Sequence, residues 1–265
     1  MTLLEVDGLR VRAADGRALI DGLSFSLGEG DRLGLIGESG SGKSLTALAI
    51  IGLPPPGMKV SGSVVLDGVQ VVGAPERRLN RLRGRAAAVI FQEPLTALDP
   101  LKRAGAQVAE PLRRRRRLRG AALRHAVVDA LAEVRLADPE RVALAYPHEI
   151  SGGQRQRVAI AMALACEPAL LIADEPTTAL DTTTQAEVLA LLDTLVGASG
   201  MGLLFIGHDL GVVAGVTGRL LVLQDGRAVE SGTVGDIVHA PSHPHTRELV
   251  EGTRRLHDAL GGIAR

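Results

Sequence analysis

Aromatic residues are scarce in this chain: they make up 2% of its 265 residues, and tryptophan is absent. Hydrophobic residues nevertheless account for 46% of the sequence, so the core has to be built from leucine, valine, isoleucine and alanine. This composition favours an α/β protein with buried parallel strands. A chain of this length can bury one large core, or a core together with a smaller subdomain.

Three other scarcities exclude classes of protein. The single cysteine, Cys166, excludes an intrachain disulfide and a cysteine-ligated zinc or iron–sulfur site, and it fits a reducing compartment. Thirty basic residues balance thirty acidic ones, so no net charge draws the chain to nucleic acid or anionic lipid. The longest apolar run, Val158 to Cys166, has nine residues, about half of what a membrane span needs, and residues 1–8 lack the regions of a signal peptide. We therefore expect a soluble chain that reaches a membrane only through partners.

The order of apolar segments predicts a parallel α/β core with a helical insertion. Short strands are expected at Leu3–Glu5 and Leu19–Ser26. The segment Arg32–Ile36 predicts a buried strand that a Gly/Ser loop joins to an apolar helix. Arginine- and alanine-rich helical sequence follows from about Ala74 to Leu136. The alternation of strand and helix then returns, with predicted elements at Ala169–Ala173, Thr182–Leu195, Gly202–Gly207 and Leu220–Leu223.

A phosphate-binding loop lies between the strand at 32–36 and the helix that follows. The segment from Gly37 to Ser44 matches G-x-x-x-x-G-K-[ST] in the strand-to-helix context that this pattern requires. Its glycines let successive backbone N–H groups point at phosphate oxygens, next to the positive end of a helix dipole. Lys43 is expected to pair with the β- and γ-phosphates, and the Ser44 hydroxyl to ligate Mg²⁺. The predicted ATP-binding residues are Gly37, Glu38, Ser39, Gly40, Ser41, Gly42, Lys43, Ser44 and Leu45.

Two carboxylates end the apolar segment Leu170–Ala173, namely Asp174 and Glu175. A strand-terminal aspartate beside a phosphate loop holds the magnesium shell. The adjacent Glu175 is then placed to polarise an attacking water as a general base. The alternative is a pair of solvated acids that cap a strand.

The sequence Ile150-Ser-Gly-Gly-Gln-Arg-Gln-Arg157 resembles the L-S-G-G-Q signature of ABC ATPases. It exposes backbone N–H groups at the start of an amphipathic helix, which is again an anion site. The resemblance implies that this loop grips the γ-phosphate bound to a second subunit, so that each site is completed in trans. The residues concerned are Ser151, Gly152, Gly153 and Gln154.

Three more residues stand at positions that the ABC family uses. Gln92 matches the Q-loop glutamine, which implies a contact with Mg²⁺ and water beside Ser44 and Asp174. Asp181, in Ala179-Leu-Asp181, matches the D-loop, and His208 matches the switch histidine that contacts the γ-phosphate. The resemblance implies Glu175, His208 and Gln92 as the catalytic residues and extends over roughly residues 1–250.

Four segments are similar to the ATPases of peptide and nickel importers: 91–100, 146–151, 173–181 and His243-Pro-His-Thr-Arg247. The chain ends at Arg265 without the Cys-bearing tail of many peptide-branch subunits, which leaves a nickel importer open as the alternative to a peptide importer. An exporter subunit, or a non-transport ABC ATPase acting on DNA or the ribosome, is less favoured. The sequence has one cassette and no heptad run.

The resemblance implies a complete architecture and a set of partners. The fold is that of a P-loop NTPase of the ABC type, with a parallel-sheet core, an N-terminal antiparallel β subdomain and a helical subdomain at about 96–160, within one nucleotide-binding domain over 1–265. The implied cofactors are ATP and Mg²⁺. The implied partners are a second, paralogous ATPase subunit, two transmembrane permeases and an extracytoplasmic solute-binding protein, with no nucleic acid. The location implied is the cytoplasmic face of the cell membrane.

One more feature departs from the family pattern, and two others need an interpretation. The family places an aromatic ring against adenine at the position of Ala14, where this chain has none; Arg12 or Arg17 are the candidates to replace it. The basic run Arg113–Arg117 is interpreted as a solvated helix face, in preference to a nucleic-acid or lipid site, since no aromatic residues interleave. The histidines at 239, 243 and 245 are not expected to bind a metal.

Overall fold

The computed structural model describes residues 2–92, 97–178 and 180–261, with side chains described to residue 255. The described chain forms two compact units. One comprises residues 1–80 and 202–265, and the other comprises residues 81–201. The sequence-based limits of a helical subdomain at 96–160 stay a prediction.

The first unit contains two sets of strands. One is an antiparallel sheet in the order β2-β1-β4-β5, whose strands are β1 (Thr2–Arg12), β2 (Ala18–Gly28), β4 (Lys59–Leu66) and β5 (Val69–Gln70). In the other, β3 pairs in parallel with both β8 and β9, and β9 pairs antiparallel with β10. These strands are β3 (Arg32–Gly37), β8 (Gly202–Gly207), β9 (Arg219–Gln224) and β10 (Arg227–Thr233).

Strand β1 is longer than the sequence predicts. The predicted strand ends at Glu5, whereas β1 continues to Arg12 through Asp7 and Gly8, which interrupt its apolar pattern. The pairing of β1 with β4 shifts register between Asp7 and Arg10, so the interruption is a β-bulge and not the end of the strand. Gly62 lies against this bulge, where an added Cβ would stand 2.4 Å from the Gly8 carbonyl oxygen.

In the first unit, a helix follows each of the parallel strands β3 and β8 in the chain, namely α1 (Lys43–Ile50) and α8 (Leu210–Val216). Helix α1 begins directly after the phosphate loop, and its Ala47, Ala49 and Ile50 are buried. Helix α8 is fixed by its N-cap Asp209, whose carboxylate accepts N–H bonds from Gly211 and Val212. The helices are α1 (Lys43–Ile50), α2 (Glu76–Leu82, of which 81–82 belong to the second unit), α8 (Leu210–Val216), α9 (Val234–His239) and α10 (Pro244–Gly261).

The described residues of the second unit form two parallel strands and five helices. Strand β6 (Ala87–Ile90) pairs in parallel with β7 (Leu170–Asp174). All five residues of β7 are buried, which agrees with the apolar run predicted there. The helices are α3 (Ala104–Arg116), α4 (Gly120–Glu133), α5 (Pro139–Leu144), α6 (Gly152–Leu164) and α7 (Thr182–Ser199), with a 3-10 turn at Pro147–Glu149.

Candidate functional site

The phosphate loop has the local geometry that its sequence predicts. It connects β3 to α1, and Gly40 and Gly42 have φ angles of 84° and 99°, a region that glycine enters without strain. Gly37 lies so close to strand β9 that an added Cβ would stand 2.3 Å from the Leu223 carbonyl oxygen. The backbone geometry therefore requires glycine at these three positions.

Lys43 and Ser41 place polar groups inside the loop. Lys43 is 4% exposed, and its ammonium donates hydrogen bonds of 2.8 Å to the carbonyl oxygens of Gly37 and Glu38. Ser41 is 5% exposed, and its hydroxyl has no hydrogen-bond partner among the residues that the structure describes. A buried cation and an unpaired buried hydroxyl are groups that an incoming phosphate satisfies, because it supplies acceptor oxygens and negative charge. Ser44 is exposed at the first turn of α1.

The second unit brings together Gln92 and Glu175. Strand β7 ends at Asp174, which is 5% exposed, and Glu175 follows with a φ of 46°. A left-handed backbone at a glutamate is sparsely populated and carries strain, which is typical of functional positions. The Glu175 carboxylate accepts hydrogen bonds from the Gln92 amide at 3.2 Å and from the Thr178 hydroxyl at 2.9 Å. The sequence did not single out Thr178, although its place three residues after Glu175 is the signal that it offered.

The signature loop forms the start of helix α6. The Ser151 hydroxyl accepts the N–H of Gln154 at 3.2 Å, while the Gln154 side chain accepts the N–H of Ser151 at 3.0 Å. This reciprocal capping box fixes the first turn of the helix. Gly153 has no room for a side chain, since an added Cβ would stand 2.6 Å from Thr184 Cγ2. Gly152 is less confined, with its nearest neighbour at 3.7 Å.

Thr184 also contacts the predicted D-loop residue. The Asp181 carboxylate caps α7 by accepting the Thr184 N–H at 3.0 Å, and it accepts the Thr184 hydroxyl at 2.7 Å. These hydrogen bonds, the backbone one first, hold the pKa of Asp181 below its ordinary value. Thr184 therefore links the signature loop to the D-loop, a role that sequence reasoning missed. Its only sequence signal is the Asp-x-x-Thr spacing of a helix cap.

The remaining predicted residues are placed as follows. His208 is exposed directly after β8. Ala14 is exposed in the turn between β1 and β2, where the Arg12 guanidinium donates to the Gly16 carbonyl oxygen at 3.2 Å. Ala179 of the D-loop motif, and residues 93–96 of the segment after Gln92, lie outside the described residues.

The basic run at the end of α3 is exposed, as the sequence analysis predicted, and much of it is paired. Arg113 and Arg114 contact Glu110, while Arg116 donates two hydrogen bonds to Glu167. Intrachain carboxylates thus neutralise part of the charge that suggested a nucleic-acid or lipid site. Exposed pairs of this kind contribute little to stability.

The C-terminal histidines hydrogen-bond within the chain. The N–H of His245 donates to His243 Nδ1 at 3.3 Å. In the part of the chain that the structure describes, no group of three or more His, Cys, Asp or Glu side chains is placed to hold a metal ion. Within the same residues, no helix is both long enough and apolar enough to cross a bilayer.

Comparison with known proteins places these motifs in a family. The family model described as ABC transporter matches residues 20–178. The oligopeptide transport ATP-binding protein OppD of Salmonella typhimurium is 44% identical over 257 residues, which cover 96% of this chain and 77% of OppD. The glutathione import ATP-binding protein GsiA of Shigella dysenteriae is 45% identical over 93% of this chain and 40% of its own length.

Solved structures confirm the predicted fold. The dimeric ATP-binding cassette MJ0796 in a post-hydrolysis state with ADP and Pi superposes with a TM-score of 0.78 at 29% identity, over 87% of this chain and 98% of that one. The cbiO1 subunit of Clostridium perfringens shares the fold, with a TM-score of 0.77 at 23% identity over 99% of this chain and 98% of cbiO1. The chain belongs to the ABC transporter family, as one of its ATP-hydrolysing cassettes.

Proposed function

We propose that this chain binds ATP with Mg²⁺ and hydrolyses it to drive the uptake of di- and oligopeptides through separate membrane subunits. The observation that carries the substrate class is the 44% identity to an oligopeptide transport ATP-binding protein over 96% of this chain. The relatives above are named for oligopeptide transport and glutathione import, which favours peptides over nickel, the alternative that the sequence had left open.

Nucleotide binding is assigned to the loop from Gly37 to Leu45. Lys43 neutralises phosphate charge, and the loop amides donate hydrogen bonds to the phosphate oxygens. The buried, unpartnered Ser41 hydroxyl and the buried Lys43 ammonium fit a polyanionic ligand. Hydroxyl, amide and carboxylate oxygens are suitable ligands for Mg²⁺, and Ser44, Gln92 and Asp174 are the residues proposed for this role. When bound, Mg²⁺ neutralises charge on the phosphates.

Hydrolysis is assigned to Glu175 as general base. Its carboxylate accepts from Gln92 and Thr178, and these two bonds fix the orientation of the group that takes a proton from water. A base held in position avoids the cost of ordering it during the reaction. His208 is proposed to contact the γ-phosphate.

A second ATPase subunit, paralogous to this one, is proposed as the partner across the nucleotide. The capping box of Ser151 and Gln154 pre-forms a helix N-terminus, and such an end attracts anions. Ser151, Gly152, Gly153 and Gln154 would contact the γ-phosphate held by the other subunit. The cassette MJ0796 has been solved as a dimer, which supports this arrangement.

The permease contact is proposed for two exposed leucines on neighbouring segments of the second unit. Leu101 is 86% exposed and Leu144 is 63% exposed. Their segments are joined by a hydrogen bond of 2.9 Å from the N–H of Ala104 to the Ala145 carbonyl oxygen. Large exposed apolar side chains on joined segments favour a protein contact. The further partners that we propose are two permeases and a solute-binding protein on the far side of the membrane. With these partners, the chain would lie at the cytoplasmic face of the membrane.

The permease contact can be tested by one pair of variants. Leu101→Asp should leave the ATPase activity of the purified chain unchanged, but it should abolish co-purification with the permeases. Leu53→Asp, at a leucine that is 44% exposed in the other unit, is the control and should retain co-purification. Loss in both variants, or in neither, would refute the assignment of the permease contact to this part of the chain.

The substrate class is tested with the assembled transporter. Peptide-loaded solute-binding protein should stimulate ATP hydrolysis by the complex of this chain, its ATPase partner and the permeases. Nickel chelates presented in the same way should not. Stimulation by nickel alone would overturn the peptide assignment while leaving the ATPase assignment intact.

A further inference from the structure

A turn outside the family motifs lies against the phosphate loop. Strands β9 and β10 are joined by Asp225 and Gly226, with φ angles of 48° and 77°. Two consecutive residues with positive φ form the hairpin turn that matches the twist of the strands, and Asp-Gly is a preferred sequence for it. The shape of the turn thus follows from its sequence, but its contacts with the phosphate loop and with β2 are not needed to form a hairpin.

The backbone of Gly226 connects two separate segments of the first unit. Its N–H donates a hydrogen bond of 3.1 Å to the carbonyl oxygen of Ser41, inside the phosphate loop. Its own carbonyl oxygen accepts the N–H of Asp21, in β2, at 2.9 Å. One residue therefore holds the phosphate loop on one side and the antiparallel sheet on the other.

Gly226 has no space for any side chain. A Cβ added there would stand 2.4 Å from the Leu19 carbonyl oxygen and 3.1 Å from Ile20 Cα. Gly42 of the phosphate loop approaches the same carbonyl oxygen, at 3.0 Å from its own added Cβ. Two glycines thus converge on Leu19, and the phosphate loop is closely packed where it turns into α1.

Side chains reinforce this connection. The Asp21 carboxylate accepts a hydrogen bond from Arg227 Nε at 3.1 Å and one from Arg10 Nε at 3.2 Å. These bonds, that of Arg227 first, hold the pKa of Asp21 below its ordinary value. Residues 225–227 are therefore attached to β2 through both backbone and side chains.

We propose that Gly226 is a positioning residue for nucleotide binding, which holds the phosphate loop at Ser41 in the shape that receives phosphate. The proposal rests on the assignment of that loop to ATP. The Ser41 carbonyl oxygen is fixed by the turn, so the N–H groups that follow it, at Gly42 and Lys43, are fixed as well. A displaced turn moves these donors away from the phosphate oxygens.

The expected size of the effect follows from the geometry. Relief of the contact at 2.4 Å requires a shift of several tenths of an ångström in the turn or in Leu19, since real Cβ atoms essentially never come closer than 3.0 Å. A misplacement of about 1 Å in a binding site can cost about a hundredfold. Gly226→Ala should therefore weaken ATP binding about tenfold.

The chain contains a matched control for this substitution. The hairpin of β4 and β5 also turns at Asp-Gly, with φ angles of 49° at Asp67 and 71° at Gly68. An added Cβ at Gly68 meets nothing within 4 Å. Gly68→Ala thus carries the same backbone strain without the steric contact and without a phosphate loop beside it.

The test is ATP affinity, measured by titration of the purified chain with Gly226→Ala, Gly68→Ala and Lys43→Ala. Gly226→Ala should raise the Kd for ATP about tenfold, while Gly68→Ala, which carries the backbone strain alone, leaves it unchanged. Equal Kd values in the two alanine variants would overturn the positioning role. Unchanged ATP binding in Lys43→Ala would instead overturn the assignment of the loop, which keeps the two failures distinct.

A second measurement does not depend on the folding of a variant. Hydrogen–deuterium exchange of the wild-type chain, with and without Mg·ADP, should show added protection at Gly226 together with the amides of Gly42 and Lys43. The turn at Gly68 should show no change. Protection of the phosphate loop without any change at Gly226 would contradict the proposal.

Discussion

The side-chain amide of Gln92 donates a hydrogen bond to the carboxylate of Glu175, across 3.2 Å between Nε2 and Oε2. The two residues are 83 positions apart, and each follows a strand of the β6–β7 pair. Parallel neighbours end at the same edge of a sheet, which is why these two side chains meet. The bond joins the proposed general base to the glutamine that matches the Q-loop position.

The first prediction concerns Glu175→Gln. This substitution keeps the size of the side chain but removes the proton acceptor, so turnover should fall at least about a hundredfold, while ATP affinity is retained and a closed ATP-bound dimer accumulates. The measurements are the release of phosphate and the size of the complex in Mg·ATP. Near-normal hydrolysis in this variant would refute the role of Glu175.

The second prediction concerns the signature loop. Ser151→Arg should remove ATP occlusion at the site built on the partner subunit's phosphate loop more than at the site of Lys43. The substitution also removes a helix cap, worth about 1 kcal/mol. Thr233→Arg is the matched control, since Thr233 caps α9 with an equivalent capping box. Equal loss at both nucleotide sites, or equal effects of the two variants, would contradict completion in trans.

Most of the candidate site could be predicted because its residues follow local rules. The phosphate loop, the Asp174–Glu175 pair and the signature loop each combine a spacing with a strand or a helix start that is visible in the sequence. The predicted strand at Gly202–Gly207 coincides with β8, and the helix predicted at Thr182–Leu195 continues to Ser199. Apolar periodicity predicts the type of such elements without any knowledge of tertiary contacts.

What could not be predicted depends on contacts between distant segments. Thr184 matters because it lies against Gly153, and Gly226 because it lies against Ser41 and Leu19. In the sequence, Thr184 is indistinguishable from an ordinary helix-cap position, and Gly226 is indistinguishable from an ordinary hairpin-turn glycine. The length of β1 was underestimated for a similar reason, since the bulge near Gly8 is stabilised by pairing with β4 and not by local sequence.

The third prediction concerns adenine. Ala14 offers no ring, and the Arg12 guanidinium is engaged by the Gly16 carbonyl oxygen. Ala14→Tyr should therefore tighten ATP binding about tenfold, because stacking of a base on an aromatic ring is worth roughly 1–3 kcal/mol. In the wild type, the affinities for ATP and GTP should lie within about tenfold of each other.

Titration with both nucleotides measures the effect, with Asp15→Tyr, one position along the same turn, as the control. If Ala14→Tyr binds ATP no more tightly, Arg12→Ala and Arg17→Ala show whether an arginine already stacks on the base. A loss of affinity in either variant assigns the role to that arginine. No loss in either would contradict the placement of adenine at this turn.

The fourth prediction is a pH dependence of stability at Glu230. Its carboxylate accepts the N–H groups of Ser242 and His243 at 2.8 and 2.9 Å. Burial raises the pKa of Glu230, but polar contacts to its carboxylate, that of the Ser242 N–H first, lower it more, so the pKa lies below its ordinary value of 4.5. A carboxylate with a lowered pKa stabilises the fold above about pH 4.5, and this stabilisation is lost as the pH falls through the folded-state pKa.

Glu230→Gln should therefore lower the free energy of unfolding by about 1 kcal/mol at pH 7, after allowance for solvent screening. The difference from wild type should shrink as the pH is lowered below about 4. Denaturant titrations at several pH values measure it. Glu248→Gln, at an exposed glutamate, is the control and should show no such trend; a difference for Glu230→Gln that is independent of pH would contradict the linkage.

ATP-driven uptake of a peptide is the most direct measurement of the proposed function. Proteoliposomes should contain the permeases, the ATPase partner and this chain, with labelled oligopeptide and its binding protein on one side and Mg·ATP on the other. The wild-type chain should accumulate peptide in proportion to the ATP hydrolysed, and Glu175→Gln should reduce both rates at least about a hundredfold. Peptide accumulation that persists at the wild-type rate with Glu175→Gln, or ATP hydrolysis with no peptide uptake in the wild type, would contradict an ATPase that drives peptide import.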